Sequence, residues 1–278
     1  TRWAKSLGEL EGTHQEAWGT SEYTSRDESA CFLGLYDLRD YIALWRHRGK
    51  AYVLWAGSDL RNLESKFVFN DGKLKWLSKL LRGNQWVFPI LKKAEHWVEN
   101  ENEKRILESL GIEVSGVCPS FLGKIEDFNV CFKPGNNVYL SSGKDRQEEY
   151  GFGIVERIAR ELPMLKFHLY GADWKTKQSN VVVHGRVSKE QMNEEIKNYQ
   201  IGIRLNESDG FSEILAKAVL MGQYAIGKVP HPFIPSFEND LELILELNKI
   251  RKYTKPNLNV RNFYKKILND FPWNSKKY

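Results

Sequence analysis

The fold of this chain is decided by one stretch, Asp209-Gly210-Phe211-Ser212-Glu213-Ile214-Leu215-Ala216-Lys217-Ala218-Val219-Leu220-Met221-Gly222. It opens with the turn signal Asp209-Gly210, continues with apolar residues at the spacing of a helix buried on one face, and ends at Gly222. Residues 201–205, directly before it, have the composition of a strand. The order of strand, tight loop and helix places unpaired amides and partial positive charge at the end of a strand, which predicts an anion site.

Strand-like and helix-like segments alternate along the whole chain, and 278 residues are enough for two domains of about 130 residues each. In the first part we expect strands at 30–36, 51–56 and 95–98 and helices at 3–10, 38–48, 74–82 and 101–110. In the second part we expect strands at 138–141, 166–170, 181–183, 201–205 and from 224, and helices at 152–162, 189–199, from 213 and at 241–247. This alternation predicts the α/β class, with two doubly wound, Rossmann-like domains.

Over 116–137, proline, glycine and asparagine residues interrupt the periodic pattern of apolar residues, which indicates a domain boundary there. We therefore predict an N-terminal domain over 1–130, a C-terminal domain over 131–255 and a tail helix over 256–278. The tail carries six large apolar or aromatic residues between 263 and 273, so it is expected to pack against the protein.

The same motif resembles that of nucleotide-sugar glycosyltransferases of the GT-B fold, in particular family 4. There an acidic residue is followed by Gly-Phe and, eight positions after the acid, by a glutamate. Asp209 and Lys217 occupy the two acidic positions here, so an ammonium replaces the second carboxylate. The resemblance implies two domains facing across a cleft, in which a sugar moves from a nucleotide-sugar donor to a hydroxyl acceptor with retention of configuration. It also implies that the tail crosses back to the N-terminal domain.

Family members begin with a strand, a glycine-rich loop and then a helix, whereas residues 2–7 of this chain read as helix. The N-terminal domain is thus expected to lack its usual first strand, as in a truncated or naturally shortened form.

The resemblance implies a catalytic Asp209 and a set of donor-binding residues. Lys144 and Arg146 jointly would hold the donor diphosphate, because fixed cations stabilise the charge that builds on a leaving diphosphate. The full donor-binding set is Gly143, Lys144, Arg146, Arg204, Gly210, Phe211, Ser212, Glu213 and Lys217. Two plainer interpretations stay open: the segment at 142–146 is also typical of a solvated turn, and the residues at 209–213 are typical of any helix start.

Lys217 leaves two orientations open. It pairs with Glu213 one helical turn earlier, or it points toward the donor and adds a third cation beside the phosphates. We favour the pair with Glu213, because a glutamate N-terminal to a lysine is the better order of such a pair. In either orientation an ammonium cannot accept the ribose hydroxyl hydrogen bonds that the family glutamate accepts.

Gly57-Ser58-Asp59 follows a strand-like segment and is similar to the Gly-Ser-Asp segment of some bacterial family members. The resemblance gives Asp59 a second catalytic position, touching the acceptor or the transferred sugar, and puts Gly57, Ser58 and His14 on the acceptor side. Serine and aspartate at this place are equally typical of a helix N-cap or turn, and a lone histidine is more often structural.

Other chemistries lack their motifs. The sequence has no P-loop, and Gly151-Phe152-Gly153 lacks the third glycine of a dinucleotide fingerprint. It has no Asp-x-Asp pair for a metal-bridged diphosphate, so we expect no cofactor and no metal. The acids at 99–101 and 238–240 are expected to cap helices.

The expected partners are a nucleotide-sugar donor and a hydroxyl acceptor, which is a glycan, a lipid-linked glycan or another alcohol. Three scattered cysteines and the lack of an apolar leader indicate a cytoplasmic protein. The basic amphipathic stretch at 73–82 suits peripheral contact with an anionic membrane and also an ordinary surface helix. A net charge of +5 without basic residues interleaved with aromatics argues against nucleic acid. A non-catalytic nucleotide- or glycan-binding relative is the alternative function.

Overall fold

The structure is a computed structural model in which the chain forms two compact units. It describes residues 4–6, 26–36, 38–64, 86–121 and 123–268. Of these, the first unit contains the residues up to Lys124, the loop Asp209–Phe211 and residues 267–268. The second unit contains Ile125–Ser208 and Ser212–Lys266. Each unit has a mainly parallel sheet with helices, so the predicted α/β class is confirmed.

The first unit has a five-stranded sheet whose strands follow chain order. They are β1 (Ala4–Ser6), β2 (Ala30–Leu33), β3 (Ala51–Trp55), β4 (Ala94–Val98) and β5 (Gly116–Val117). Strands β2 to β5 are parallel, with Ala30 of β2 opposite Ala51 of β3 and Ala51 opposite Ala94 of β4. All five residues of β3 are buried, as in a central strand of a parallel sheet.

Strand β1 corrects the prediction of a helix over residues 3–10. Ala4–Ser6 pairs antiparallel with β2, with Lys5 opposite Cys31. The local sequence favours a helix, but pairing with the open edge of β2 satisfies the backbone groups of both strands, and this tertiary pairing outweighs local propensity. The sheet of the described residues thus has an antiparallel strand at that edge. The helix predicted at 74–82 lies outside the described residues.

Four helices of the first unit are described: α1 (Leu38–Arg46), α2 (Ser58–Glu64), α3 (Phe88–Leu91) and α4 (Glu101–Ser109). Helix α4 begins directly after β4 because the Asn100 side chain caps it, accepting a 3.0 Å hydrogen bond from the Glu103 N–H. A core of aliphatic and aromatic side chains, among them Val53, Trp55 and Leu107, packs these helices on the sheet.

The second unit has a five-stranded, fully parallel sheet. Its strands are β6 (Asn137–Ser141), β7 (Lys166–Tyr170), β8 (Val181–Gly185), β9 (Ile201–Arg204) and β10 (Tyr224–Gly227). The strand order is β10-β9-β6-β7-β8, so the order reverses between β6 and β9. In such sheets ligands bind beyond the carboxyl ends of the two strands at the reversal.

The second unit contains helices α5 (Phe152–Glu161), α6 (Lys189–Ile196), α7 (Glu213–Leu220), α8 (Asp240–Ile250) and α9 (Leu258–Ile267), apart from the last residue of α9. Ser188 caps α6, since its Oγ accepts from the Gln191 N–H at 3.0 Å. Within this unit, α9 is joined to the end of α7 by Arg261, whose Nε donates to the Leu220 carbonyl at 2.7 Å. Residues 269–278 of the predicted tail lie outside the described residues. No helix in the described ranges is long and apolar enough to cross a bilayer.

Candidate functional site

The carboxyl edge of the second sheet carries buried polar groups at the point where the strand order reverses. Ser142 and Gly143 follow β6, and Arg204 and Asn206 lie at the end of β9 and just after it. Ser142 and Asn206 are buried, and Asn206 Oδ1 has no hydrogen-bond partner among the described residues. A buried polar atom without a partner is costly in a finished core, and it is expected where a ligand or water completes the site.

Arg204 is fixed at this edge by an aromatic ring. Its guanidinium lies 4.2 Å from the centre of the Tyr150 ring, and its Nη1 lies 3.5 Å from the Ser141 carbonyl oxygen. A cation held over a ring keeps its charge while losing freedom, so Arg204 is positioned in advance to meet an anion.

The two predicted phosphate-binding cations, Lys144 and Arg146, have different surroundings in the structure. Lys144 is exposed, whereas Arg146 pairs with Glu149, with 2.7 Å between Nε and Oε2. Arg146 also lies 5.1 Å from the centre of the Tyr150 ring, so the two arginines share one aromatic partner. From the sequence, Tyr150 and Glu149 had no assigned role in the site, although the three-residue spacing of Arg146 and Glu149 on a turn could have indicated the ion pair.

The start of α7 is organised by its own side chains. Ser212 Oγ accepts a 3.2 Å hydrogen bond from the Leu215 N–H, as an N-cap does. Lys217 pairs with Glu213 at 3.2 Å between Nζ and Oε2, which confirms the orientation we favoured. Lys189 also approaches Glu213, at 3.4 Å between Nζ and Oε1. Burial lowers the pKa of Lys217, which is only 3% exposed; burial raises that of Glu213, but the two lysines hold its pKa below the usual range.

The predicted catalytic Asp59 lies at the carboxyl edge of the first sheet, and its side chain is wholly buried. Its carboxylate accepts from the Leu35 N–H at 3.2 Å and from the Ala56 N–H at 3.1 Å. Burial raises the pKa of Asp59 to about 6. Asp59 therefore joins the loops that follow β2 and β3, which is the turn role left open by the sequence. Gly57 precedes α2 with a φ of +87°, and His14 lies outside the described residues.

Within the first unit, the loop Asp209–Phe211 is bound by residues that follow β4. The Phe211 N–H donates to Glu99 Oε2 at 3.0 Å, and the Asn100 Nδ2 group donates to the Asp209 carbonyl at 2.9 Å. A Cβ on Gly210 would overlap the Glu99 carboxylate, so a larger residue here would have to displace that carboxylate. The predicted site residues Asp209, Gly210 and Phe211 are thus brought against Glu99, which the sequence had assigned only to helix capping.

Glu99 is held from its other side by Ser120, which follows β5. The Ser120 N–H donates to Glu99 Oε1 at 3.1 Å, and the Ser120 hydroxyl bonds to the same oxygen. A second buried acid, Glu103, accepts from the Glu99 N–H at 2.9 Å, and its Oε1 has no partner among the described residues. Burial raises the pKa of Glu99 to about 8, and the Asp209 carboxylate raises it further. Burial and the nearby Glu99 carboxylate raise the pKa of Glu103 well above its usual range.

Comparison with known proteins gives matches of structure only. No protein-family model and no curated protein sequence matches the chain. Among solved structures, the chain is similar to the lipopolysaccharide outer core galactosyltransferase WaaB in its apo form, with a TM-score of 0.56 and 12% identity over 94% of this chain and 74% of that one. It is also similar to the pneumococcal O-GlcNAc transferase GtfA in complex with UDP and GlcNAc, with a TM-score of 0.52 and 14% identity over 82% of this chain and 51% of that one.

A third similar structure is TarM, with a TM-score of 0.52 and 14% identity over 84% of this chain and 48% of that one. The chain spans about half the length of TarM and GtfA. These structures are GT-B glycosyltransferases, so the predicted resemblance in fold is confirmed. At this level of identity they establish the fold and leave the roles of individual residues as predictions.

Proposed function

We propose that this chain is a glycosyltransferase that moves a sugar from a nucleotide-sugar donor to a hydroxyl acceptor. The observation that carries the proposal is the reversal of strand order between β6 and β9, which gathers Ser142, Arg204 and Asn206 at one edge of the sheet. The fold supports it, because the similar structures are glycosyltransferases and GtfA was solved with UDP and GlcNAc bound.

In the proposed reaction the bond between the anomeric carbon and the donor phosphate oxygen breaks, and its electron pair leaves with the nucleoside diphosphate. The acceptor hydroxyl oxygen forms the new bond to that carbon, and its proton passes to the departing diphosphate. Negative charge grows on the diphosphate as the bond breaks, so fixed positive groups beside it lower the barrier. Arg204 meets this need best, since its position over the Tyr150 ring is set before the donor binds.

Arg146 would take a second contact with the diphosphate. The Arg146 side chain is 43% exposed although it pairs with Glu149, and a diphosphate carries more charge than one carboxylate, so a donor can compete for it. Lys144 is exposed and would add a flexible charge. We propose a reaction without a metal, because these cations and the amides at the start of α7 can neutralise the charge of the diphosphate. Retention of configuration is proposed from the family resemblance alone.

The proposed acceptor is a glycan or another alcohol. We also propose a cytoplasmic location and peripheral contact with an anionic membrane. For the membrane contact, the basic stretch at 73–82 lies outside the described residues, so binding to vesicles of anionic phospholipid is its direct test.

A non-catalytic nucleotide- or glycan-binding protein is the second candidate, and the ion pair of Lys217 with Glu213 favours it. The Lys217 ammonium is paired with a carboxylate and cannot accept a hydrogen bond from the ribose. One contact between the family pattern and the nucleotide sugar is therefore missing. This candidate predicts nucleotide binding without turnover.

The test is release of UDP or GDP from a panel of nucleotide sugars, with and without EDTA, followed by NMR of the anomeric configuration of the product. We expect release with at least one donor, insensitive to EDTA, and lower activity in Arg146→Ala. Arg157→Ala is the matched control, because Arg157 is also an exposed, ion-paired arginine, with Asp240 at 2.7 Å. Nucleotide binding without release from any donor supports the non-catalytic candidate.

A further inference from the structure

The ring of Tyr150 lies against two arginine side chains from separate segments of the second unit. The guanidinium carbon of Arg204, at the end of β9, lies 4.2 Å from the ring centre, and that of Arg146, between β6 and α5, lies 5.1 Å from it. Like charges repel, so two guanidinium groups come close to one another only where something attracts both. The negative face of an aromatic ring supplies that attraction.

The backbone around Tyr150 explains why its ring lies beside these arginines. The Tyr150 N–H donates to the Arg146 carbonyl at 3.0 Å, so a single turn brings Arg146 back to the ring. Gly151, the N-cap of α5, has a φ of +82° and packs so closely on Leu205 that an added Cβ would lie 2.4 Å from the Leu205 Cβ. The residues just before these two are Tyr150 and Arg204, so the same contact brings the ring to the second guanidinium.

We propose that Tyr150 is a positioning residue that makes the site of the second unit selective for a diphosphate over a monophosphate. The inference rests on the proposed function, which places the donor diphosphate beside Arg204 and Arg146. A single phosphate is satisfied by one guanidinium, whereas two linked phosphates gain from two guanidinium groups held at one ring. Because the ring holds both cations before a ligand arrives, less side-chain freedom is lost on binding.

The test measures the calorimetric affinity of the full chain for UDP, GDP, UMP, GMP and inorganic pyrophosphate. Tyr150→Phe keeps the aromatic ring, and Tyr150→Leu removes it. Tyr253→Leu is the matched control, because Tyr253 is also a half-buried tyrosine of the second unit, and its ring contacts that of Tyr224 with 4.9 Å between the centres. Circular dichroism and thermal unfolding establish that each variant is folded.

We expect Tyr150→Leu to weaken binding of the preferred nucleoside diphosphate and of pyrophosphate about tenfold, and binding of the matching monophosphate at most about threefold. Tyr150→Phe and the control should stay within about twofold of the unmodified chain for every ligand. Unchanged binding in Tyr150→Leu, equal losses for diphosphate and monophosphate, or the same loss in Tyr150→Phe or in the control would overturn the role of the ring.

Pyrophosphate separates this inference from the proposed function. If the unmodified chain binds pyrophosphate but none of the nucleotides, the proposed function fails, while the loss of pyrophosphate binding in Tyr150→Leu still decides whether the ring positions the two arginines. If the unmodified chain binds none of the five ligands, both proposals are wrong.

Discussion

Lys217 lies 3.2 Å from the Glu213 carboxylate, with the lysine almost fully buried and the glutamate side chain 35% exposed. Removing Glu213 therefore has a different effect from removing Lys217, because the residue left behind is buried in the first case and partly exposed in the second. A buried ammonium without a counter-charge is far costlier than a carboxylate that still has Lys189 and solvent nearby.

The first prediction follows from this inequality. Glu213→Gln strands the ammonium of Lys217 and is expected to cost about 3–5 kcal/mol of unfolding free energy. Lys217→Met leaves Glu213 beside Lys189 and should cost only about 1–2 kcal/mol. Urea unfolding of both variants measures the difference, and equal losses would show that the burial of Lys217 does not matter.

The second prediction concerns nucleotide affinity at the same position. Because its ammonium is committed to Glu213, Lys217 should not contribute to phosphate binding. Lys217→Glu, which restores the acceptor of the family pattern, should keep or increase affinity for UDP or GDP, and Lys217→Ala should leave it unchanged. Weaker binding in Lys217→Glu alone would place the ammonium beside the phosphates.

The sequence was most informative where the structure is local. The strand, turn and helix at 201–222 were predicted because apolar spacing, a turn dipeptide and a closing glycine all lie within one stretch. The reversal between β6 and β9 was not predictable in detail, since it depends on pairing of Val138 with Ile201, which are far apart in the sequence. The same limit produced the error at Ala4–Ser6, whose strand exists only through its partner β2.

In the candidate site, too, local features were predicted and contacts between distant parts of the chain were not. Ser212 as a cap and Lys217 as a partner of Glu213 were within reach of helix rules. Glu99 was interpreted as a capping acid, whereas the cap is Asn100 and Glu99 binds a loop more than a hundred residues away. An acid directly after a buried strand, at the carboxyl edge of a parallel sheet, is the signal that could have singled it out.

The third prediction is a loss of stability in mild acid caused by His168. Its Nε2 lies 3.1 Å from Asn137 Oδ1, and its Nδ1 lies 2.9 Å from Nε2 of His184. Burial, the neighbouring His184 and Lys166 lower the pKa of His168 to about 4, against about 6.5 when unfolded. The folded state thus favours neutral imidazole, so this stability is complete above pH 6.5 and is lost as the pH falls toward 4.

We expect His168→Gln to abolish that part of the pH dependence, which amounts to at most about 3 kcal/mol between pH 7 and pH 4. Unfolding free energies of the two proteins, measured across that range, should converge as the pH falls. Parallel curves would show that His168 does not titrate with folding.

The fourth prediction separates the two interpretations of Asp59. Its pKa of about 6 lies above the unfolded value near 3.9, so folding favours the protonated acid, and its contribution is lost as the pH rises from 4 through 6. Asp59→Asn does not titrate, so it should lose less stability than the unmodified protein as the pH rises through that interval, and it should keep nucleotide-sugar turnover. Loss of turnover in a variant that is folded would instead support the catalytic role that the sequence suggested.

The central claim is that a nucleoside diphosphate binds where the strand order of the second sheet reverses, against Arg204. Calorimetric titration of UDP and GDP into the unmodified chain, Arg204→Gln and the control Arg160→Gln, an exposed residue near the end of α5, tests it most directly. We expect one nucleotide to bind the unmodified chain and the control alike, and Arg204→Gln to bind it about tenfold or more weakly. Equal binding by Arg204→Gln, or no binding by the unmodified chain, would contradict the account.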